Sequence, residues 1–468
     1  MALTLADVAA ATGGTLAGGD PAARVARVVT DSRQAGPGDL FVAIEGLRAD
    51  GHDHAGQAAA AGAAAVLASR PVGAPHVLVD NTVAALGRLA AHHLAALRQA
   101  GAAAASRGRP LVIGVTGSVG KTTTKDLLQR LFASRGPTVA AAGSFNNAIG
   151  LPLTVLAAGE ATEYLVLEYG ANHVGEIAAL AAIAPPDIAV ELGVGVAHLG
   201  EFGSAAAIAR AKAELLAGLR PGGTAVLNAG DPATMAMPRA GRTLTFGRAP
   251  DADVKTVQAD DDGTGRLTVA VASAGVAAQI PTRLVGRHNA VNVAAAVAAG
   301  LAAGFDLAEA AAALAGAAPA SPHRMALARA AGGALVLDDS YNANPDSMAE
   351  ALATLARLAA ATGRAPWAVL GEMLELGDAA GTEHRGIGRR AAELGIARLI
   401  AVGPGAREIA EGARAAGLAE DKLSELAGPA EATRWLQPRL TADAVILVKG
   451  SHGAQLWRVA DGLQAQEG

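Results

Sequence analysis

Short apolar runs alternate with longer stretches of helical periodicity along this chain. Residues 111–115, 164–167, 188–191 and 224–227 have the continuous apolar character of strands covered on both faces. The helical segments between them predict a mainly parallel α/β sheet. From about residue 251 to 285 the rhythm changes to short β-like runs separated by Asp-Gly and Gly turns, which predicts an antiparallel insertion. Runs at 334–337, 367–370, 398–402 and 444–448 then resume the first pattern and predict a second doubly wound sheet. Two loose seams, 99–110 and 315–322, divide the chain, whose 468 residues exceed one ordinary core. The expected architecture is α/β with three domains, 1–108, 109–318 and 319–468.

Composition narrows the function classes. Apolar residues make up 51% of the chain but aromatic ones only 3%, so Ala, Val and Leu must fill the cores and the helices must pack closely. Lys and Arg number 38 against 43 for Asp and Glu, giving a formal charge of −5 without a long run of like charge. That argues against a nucleic-acid partner and for small molecules. The absence of cysteine excludes disulfides and thiolate metal sites and fits a reducing, cytoplasmic compartment. No signal peptide or membrane insertion is expected, because the start lacks a basic then apolar pattern and Asp306 and Glu309 interrupt the alanine-rich stretch 290–318.

The strongest local chemistry lies in residues 111–125, an apolar strand that runs into Gly117-Ser118-Val119-Gly120 and then into a helix opening with Lys121-Thr122-Thr123. Backbone N–H groups at such a helix start bind phosphates, Lys121 can reach the terminal phosphates, and the Thr122 hydroxyl can ligate Mg²⁺. Gly114 and Gly120 enclose five residues where the ordinary loop has four, so the match is to a variant. Glu168 and His198 follow apolar strands at positions where open sheets place ligands, and with Thr122 they could surround one cation. Each also has a plainer reading, His198 as a structural hydrogen bonder and Glu168 as a helix cap. Lys212 sits in a helix read over 205–219, N-capped by Ser204, on the same apolar stripe as Ile208, Leu215 and Leu216. Burial there lowers the pKa of an amine and leaves a free base able to add to CO₂. The plainer alternative is an unmodified lysine whose stem packs on the leucines while its head pairs with a carboxylate.

These elements together resemble the Mur ligase family. The resemblance rests on the Gly114–Thr123 loop, Glu168-Tyr-Gly-Ala-Asn-His173, Ala197-His-Leu-Gly-Glu-Phe-Gly-Ser204, Ala211-Lys-Ala-Glu214, Gly286-Arg-His-Asn-Ala-Val-Asn292, Asp338-Asp-Ser-Tyr-Asn-Ala-Asn-Pro-Asp-Ser-Met348 and Val448-Lys-Gly-Ser451. The motifs follow the family's order and span nearly the whole chain. Asp338–Met348 and Gly371-Glu-Met-Leu-Glu-Leu-Gly377 are similar to the branch that adds D-alanyl-D-alanine to a UDP-N-acetylmuramoyl-tripeptide, as are Asp31-Ser-Arg33, Gly38-Asp-Leu-Phe41 and Asp50-Gly-His52.

The resemblance implies an ATP- and Mg²⁺-dependent ligase, working as a monomer, in which ATP phosphorylates the tripeptide carboxylate and the dipeptide amine attacks the acyl phosphate. It implies catalytic roles for Lys121, Lys212 and His198, metal ligation by Thr122, Glu168 and His198, and a carbamate on Lys212. Nucleotide contacts would come from residues 117–123, Asn289, Asn292, Arg324 and Asp339. Substrate contacts would come from Ser32, Arg33, Asn147, Tyr341, Asn342 and Asn344. The chain departs from the family in lacking Asn within residues 192–196, in placing His323 before Arg324, and in having His452 where Arg is common. Rival readings are a sibling ligase adding the third amino acid, a folylpolyglutamate-type ligase, a P-loop kinase or hydrolase, and a nucleotide-binding regulator. The first usually carries an Asp-Asn-Pro-Arg motif, which is absent.

Overall fold

A computed structural model describes residues 3–46, 49–103, 110–195 and 199–464. It contains three sheets in chain order: the first and third are parallel but for one edge strand, and the central one is parallel apart from an antiparallel tail. The first has five strands in the order Thr15–Ala17, His76–Leu78, Ala65–Ala68, Leu40–Val42, Val28–Val29, with only Thr15–Ala17 antiparallel. The third has six, in the order Ala326–Arg329, Leu335–Asp338, Ala444–Lys449, Ala365–Leu370, Arg398–Val402, Leu423–Leu426. Its edge strand Ala326–Arg329 pairs antiparallel with Leu335–Asp338.

The central sheet has nine strands. The antiparallel strands expected after residue 251 are Val254–Asp261, Arg266–Ser273 and Val276–Val285, and they continue the same sheet, because Phe246 and Gly247 pair in parallel with Val254 and Lys255. The remaining order is Arg242–Gly247, Thr224–Asn228, Ile188–Glu191, Leu111–Thr116, Tyr164–Glu168, Thr138–Ala140. Leu111–Thr116 therefore lies inside the sheet, between Tyr164–Glu168 and Ile188–Glu191, and its carboxyl end opens beside theirs. Ligands bind at such ends in open α/β sheets.

The first seam differs from its reading. The helix Thr82–Ala103 runs through its first part, and its face of Leu86, Leu89, Ala90 and Leu94 shares one apolar core with Leu151, Val155, Leu156, Ile177 and Leu180 of the central unit. His93 Nε2 pairs with the Ala158 carbonyl oxygen at 2.8 Å, and Arg98 donates to Asp187 at 2.8 Å. At the second seam the helix Leu307–Leu314 stops at Ala315, and Ser321 N–H donates to Asp126 at 2.8 Å before the chain enters the third sheet.

Candidate active site

Three glycines shape the phosphate loop. Gly117 and Gly120 have φ of 149° and 83°, values that favour glycine, and a Cβ at Gly117 would lie 2.7 Å from Leu192 Cβ. A Cβ at Gly120 would collide with Asn292 Oδ1, and one at Gly114 would lie 2.8 Å from the Tyr169 ring. Backbone approach is thus required at each. Gly120 starts the helix Lys121–Ala133, and Lys121 Nζ donates to the Gly117 carbonyl at 2.7 Å. Burial lowers the pKa of Lys121, and Glu168 opposes that shift.

Around this loop the sequence-identified groups converge. Thr122 Oγ1 donates to Glu168 Oε2 at 2.9 Å, and Asn146 Nδ2 donates to Glu168 Oε1 at 2.8 Å, so both groups are aimed by a second partner. The two oxygens are buried and hard, the donor type that suits Mg²⁺, and Glu168 is bonded to Thr122 instead of capping a helix. His198, the third expected ligand, lies outside the described residues. From the third unit, Arg324 donates to Ser144 Oγ at 2.9 Å and Thr122 Oγ1 at 3.3 Å, and its guanidinium stacks 4.0 Å from the Tyr341 ring centroid. Among the described residues its Nε is buried without a partner, a fit for an anion at that place.

A cleft of about 1120 Å³ between the central and third units is lined by Ser118, Val119, Gly120, Lys121, Thr122, Thr123, Asn147, Glu168, Lys212, Asn289, Asn292, Arg324, Asp339, Tyr341, Asn342 and Asn344. Gly117 lies behind that surface and serves it through its carbonyl. Thr124, Asn292, Asn289 and the Val285 carbonyl form a buried chain of hydrogen bonds that fixes the wall opposite the loop. Asp339 accepts from Lys449 at 2.6 Å, and Lys449 also donates to the Asn342 carbonyl. Asn344 caps the helix Pro345–Thr362, and the Asn147 side chain accepts from the backbone of Ile149 and Gly150. Ser32 and Arg33 do not reach this cleft: Ser32 bonds Gln57, and Arg33 pairs with Asp31 on the first unit.

The helix carrying Lys212 is Ala205–Ala217, two residues shorter than its reading, and Ser204 caps it by accepting from Ala207 N–H. Lys212 is buried beside Leu215 and Leu216, and burial lowers its amine to about 7, with Lys121 adding to the shift and Glu191 opposing it. The plainer reading of Lys212 needs a directly paired carboxylate, and among the described residues none comes within ion-pairing distance. Sequence reading missed Ser144, Asn146 and Glu191. The signal for Glu191 was available: a carboxylate ending an otherwise apolar, doubly covered strand.

Comparison with known proteins identifies the family. Profiles of the Mur ligase family match three segments: the family's catalytic domain at residues 24–94, its middle domain at 115–300, and its glutamate ligase domain at 323–452. The chain is 43% identical to the UDP-N-acetylmuramoyl-tripeptide–D-alanyl-D-alanine ligase of Mycobacterium bovis, over 99% of this chain and 98% of that one. It superposes on a crystal structure of MurF from Acinetobacter baumannii with a TM-score of 0.86 and 31% identity, covering 99% of each chain. A MurF ligase from Thermotoga maritima, solved in complex with ADP, gives a TM-score of 0.77 at 29% identity over 94% of this chain and 97% of the other. With family profiles on all three units and such identity over nearly its whole length, the chain belongs to the Mur ligase family.

Proposed function

We propose that this chain uses ATP to join D-alanyl-D-alanine to a UDP-N-acetylmuramoyl-tripeptide, releasing ADP and phosphate. The observation that carries the reading is the meeting, at one phosphate loop, of Lys121, the Thr122–Glu168 pair and Arg324 from the opposite unit. A carboxylate attacking a γ-phosphate brings two anions together, and cations fixed in advance lower that barrier. Lys121 and Arg324 supply them from opposite sides. The acceptor's terminal carboxylate takes the γ-phosphoryl group, the dipeptide amine then attacks the carbonyl carbon, and phosphate leaves as the amide forms. Closing the cleft between the units shelters the acyl phosphate from water.

Mg²⁺ would be held by Thr122 and Glu168, with His198 as third ligand, and would neutralise phosphate charge. Asn289, Asn292 and Asp339 would hold the nucleoside, and Tyr341, Asn342 and Asn344 the dipeptide side of the cleft. Ser32 and Arg33 would meet the uridine end of a substrate long enough to reach the first unit. A cytoplasmic monomer fits substrates of this kind. Among the described residues no helix is long and apolar enough to cross a membrane. The test is phosphate release with purified protein: turnover should require both the tripeptide and D-alanyl-D-alanine. Equal turnover with a free amino acid in place of the dipeptide refutes the assignment.

A further inference from the structure

The residues on either side of Arg324 both take the left-handed backbone: φ is 60° at His323 and 50° at Met325. Residues other than glycine resist that region, and such outliers persist only where the surroundings hold them, often at functional positions. His323 is held by two contacts. Its Nδ1 lies 2.7 Å from Asp338 Oδ2, and because a carboxylate only accepts, Nδ1 carries the proton. Its carbonyl accepts from the Tyr341 N–H at 3.2 Å. Asp338 is itself fixed: it is buried at the end of the strand Leu335–Asp338, it pairs with Ala326 and Val448 on its two sides, and its Oδ1 accepts from the N–H and the hydroxyl of Ser340. On the other side of the arginine, Met325 N–H donates to Asp339 Oδ1 at 3.2 Å, and the Met325 side chain is buried in the core of the third unit. The helix Trp457–Leu463 closes over the imidazole: the Trp457 ring centroid is 6.2 Å away, and a carboxylate oxygen of Asp461 lies within 4.8 Å of both the imidazole and Asp338.

We infer that His323 is the positioning residue of Arg324: its bond to Asp338 holds the left-handed turn that lays the guanidinium on Tyr341 and carries it across the cleft to the phosphate loop. The contacts form a closed circuit. The imidazole holds Asp338, the His323 carbonyl holds the Tyr341 N–H further along the same turn, and the Tyr341 ring carries the Arg324 guanidinium at 4.0 Å. From there the guanidinium reaches Ser144 and Thr122 of the central unit, whereas the side chains of His323 and Met325 stay on the third. Glycine at position 323 would take the same φ without strain, but it would have no side chain to fix the turn and would leave the backbone free to sample others. A histidine tied to a buried carboxylate removes that freedom. The order His323-Arg324, a departure from the family's pattern, thereby gains a physical reason. Charge stabilisation in phosphoryl transfer depends on groups aimed beforehand, so fixing this turn acts on the rate of the chemical step more than on the affinity for nucleotide.

The inference rests on the ligase reading for the part Arg324 plays in phosphoryl transfer, so one arm of its test does not use activity. In the wild type the Arg324 Nε–H, stacked on an aromatic ring, should give a ¹⁵N–¹H resonance displaced by the ring current and identified by its loss in Arg324→Lys. His323→Gly suits the backbone and removes the tether, so the resonance should move to the range of freely rotating arginines. His323→Asn tolerates the same φ, and its amide takes the place of Nδ1 toward Asp338, so the resonance should stay displaced. An unmoved resonance in His323→Gly overturns the inference. The second arm is kinetic. His323→Gly should lower kcat about tenfold, part of the 10²–10³ that follows loss of a whole charge stabiliser, with KM for ATP changed by less than about twofold. The same substitution in an Arg324→Ala background should change kcat by less than about twofold, because a residue that acts through the guanidinium then has nothing left to position. His323→Asn should recover most of the loss. Equal falls in the two backgrounds, full activity in His323→Gly, or an asparagine variant no better than glycine each overturns the inference. If the wild type fails to turn over at all, the ligase reading falls and the resonance alone decides whether His323 holds Arg324.

Discussion

Replacing Arg324 by lysine keeps its charge and removes its shape, which makes it a sharp probe of the site. The guanidinium makes two hydrogen bonds to hydroxyls, at 2.9 and 3.3 Å, and stacks 4.0 Å from the Tyr341 ring centroid. A hydrogen bond to a charged group contributes about 1.5–3 kcal/mol and a cation–π contact about 0.5–2 kcal/mol. Lysine cannot fork between Ser144 and Thr122 while lying flat on the ring, so it forfeits most of this set. Such contributions do not add, and loss of one preorganised charge stabiliser costs about 10²–10³ in kcat. Arg324→Ala should therefore fall by at least about 10², and Arg324→Lys should recover less than about a tenth of what alanine loses. Initial rates of phosphate release, with both substrates saturating, separate kcat from binding. Arg324→Lys turning over within twofold of wild type refutes the argument, because charge alone would then suffice.

Other outcomes follow from single contacts. Lys121→Ala should lose at least about 10² in turnover, and near-normal activity removes it from the mechanism. Gly120→Ala should abolish nucleotide binding measured by calorimetry, since its φ of 83° and the Asn292 oxygen both oppose a side chain. Asp339→Asn leaves Lys449 buried without its anion and should destabilise the third unit by about 3–5 kcal/mol in denaturant titrations; an unchanged midpoint contradicts the pairing. Lys212→Ala should abolish ligation while ATP still binds, and retention of wild-type turnover ends its catalytic role.

What could be read from sequence was local. Residues 114–123 carry their chemistry in consecutive positions, and glycine spacing with Lys-Thr is enough to place a phosphate there. Arg324 lies 202 positions from Thr122, and only the family resemblance linked them. Strands after Asp251 read correctly as antiparallel, but their attachment to Gly247 depends on sheet edges meeting in space, which periodicity does not encode. Asn146 and Ser144 act through partners on distant elements and have no signature of their own. Glu191 was hidden in another way, as the last residue of a run read only for its apolar pattern.

The apolar core shared by the helix Thr82–Ala103 and the central unit bears on how the molecule comes apart. A Cβ at Gly87 would lie only 3.0 Å from Ile183, so helix and central unit meet with little space between them. Heat should therefore melt the first and central units in one cooperative step, with the third unit free to unfold separately, giving two calorimetric transitions from three sheets. A fragment ending near the first seam would present Leu86, Leu89 and Leu94 to water and should self-associate, whereas residues 3–314 should behave as one folding unit.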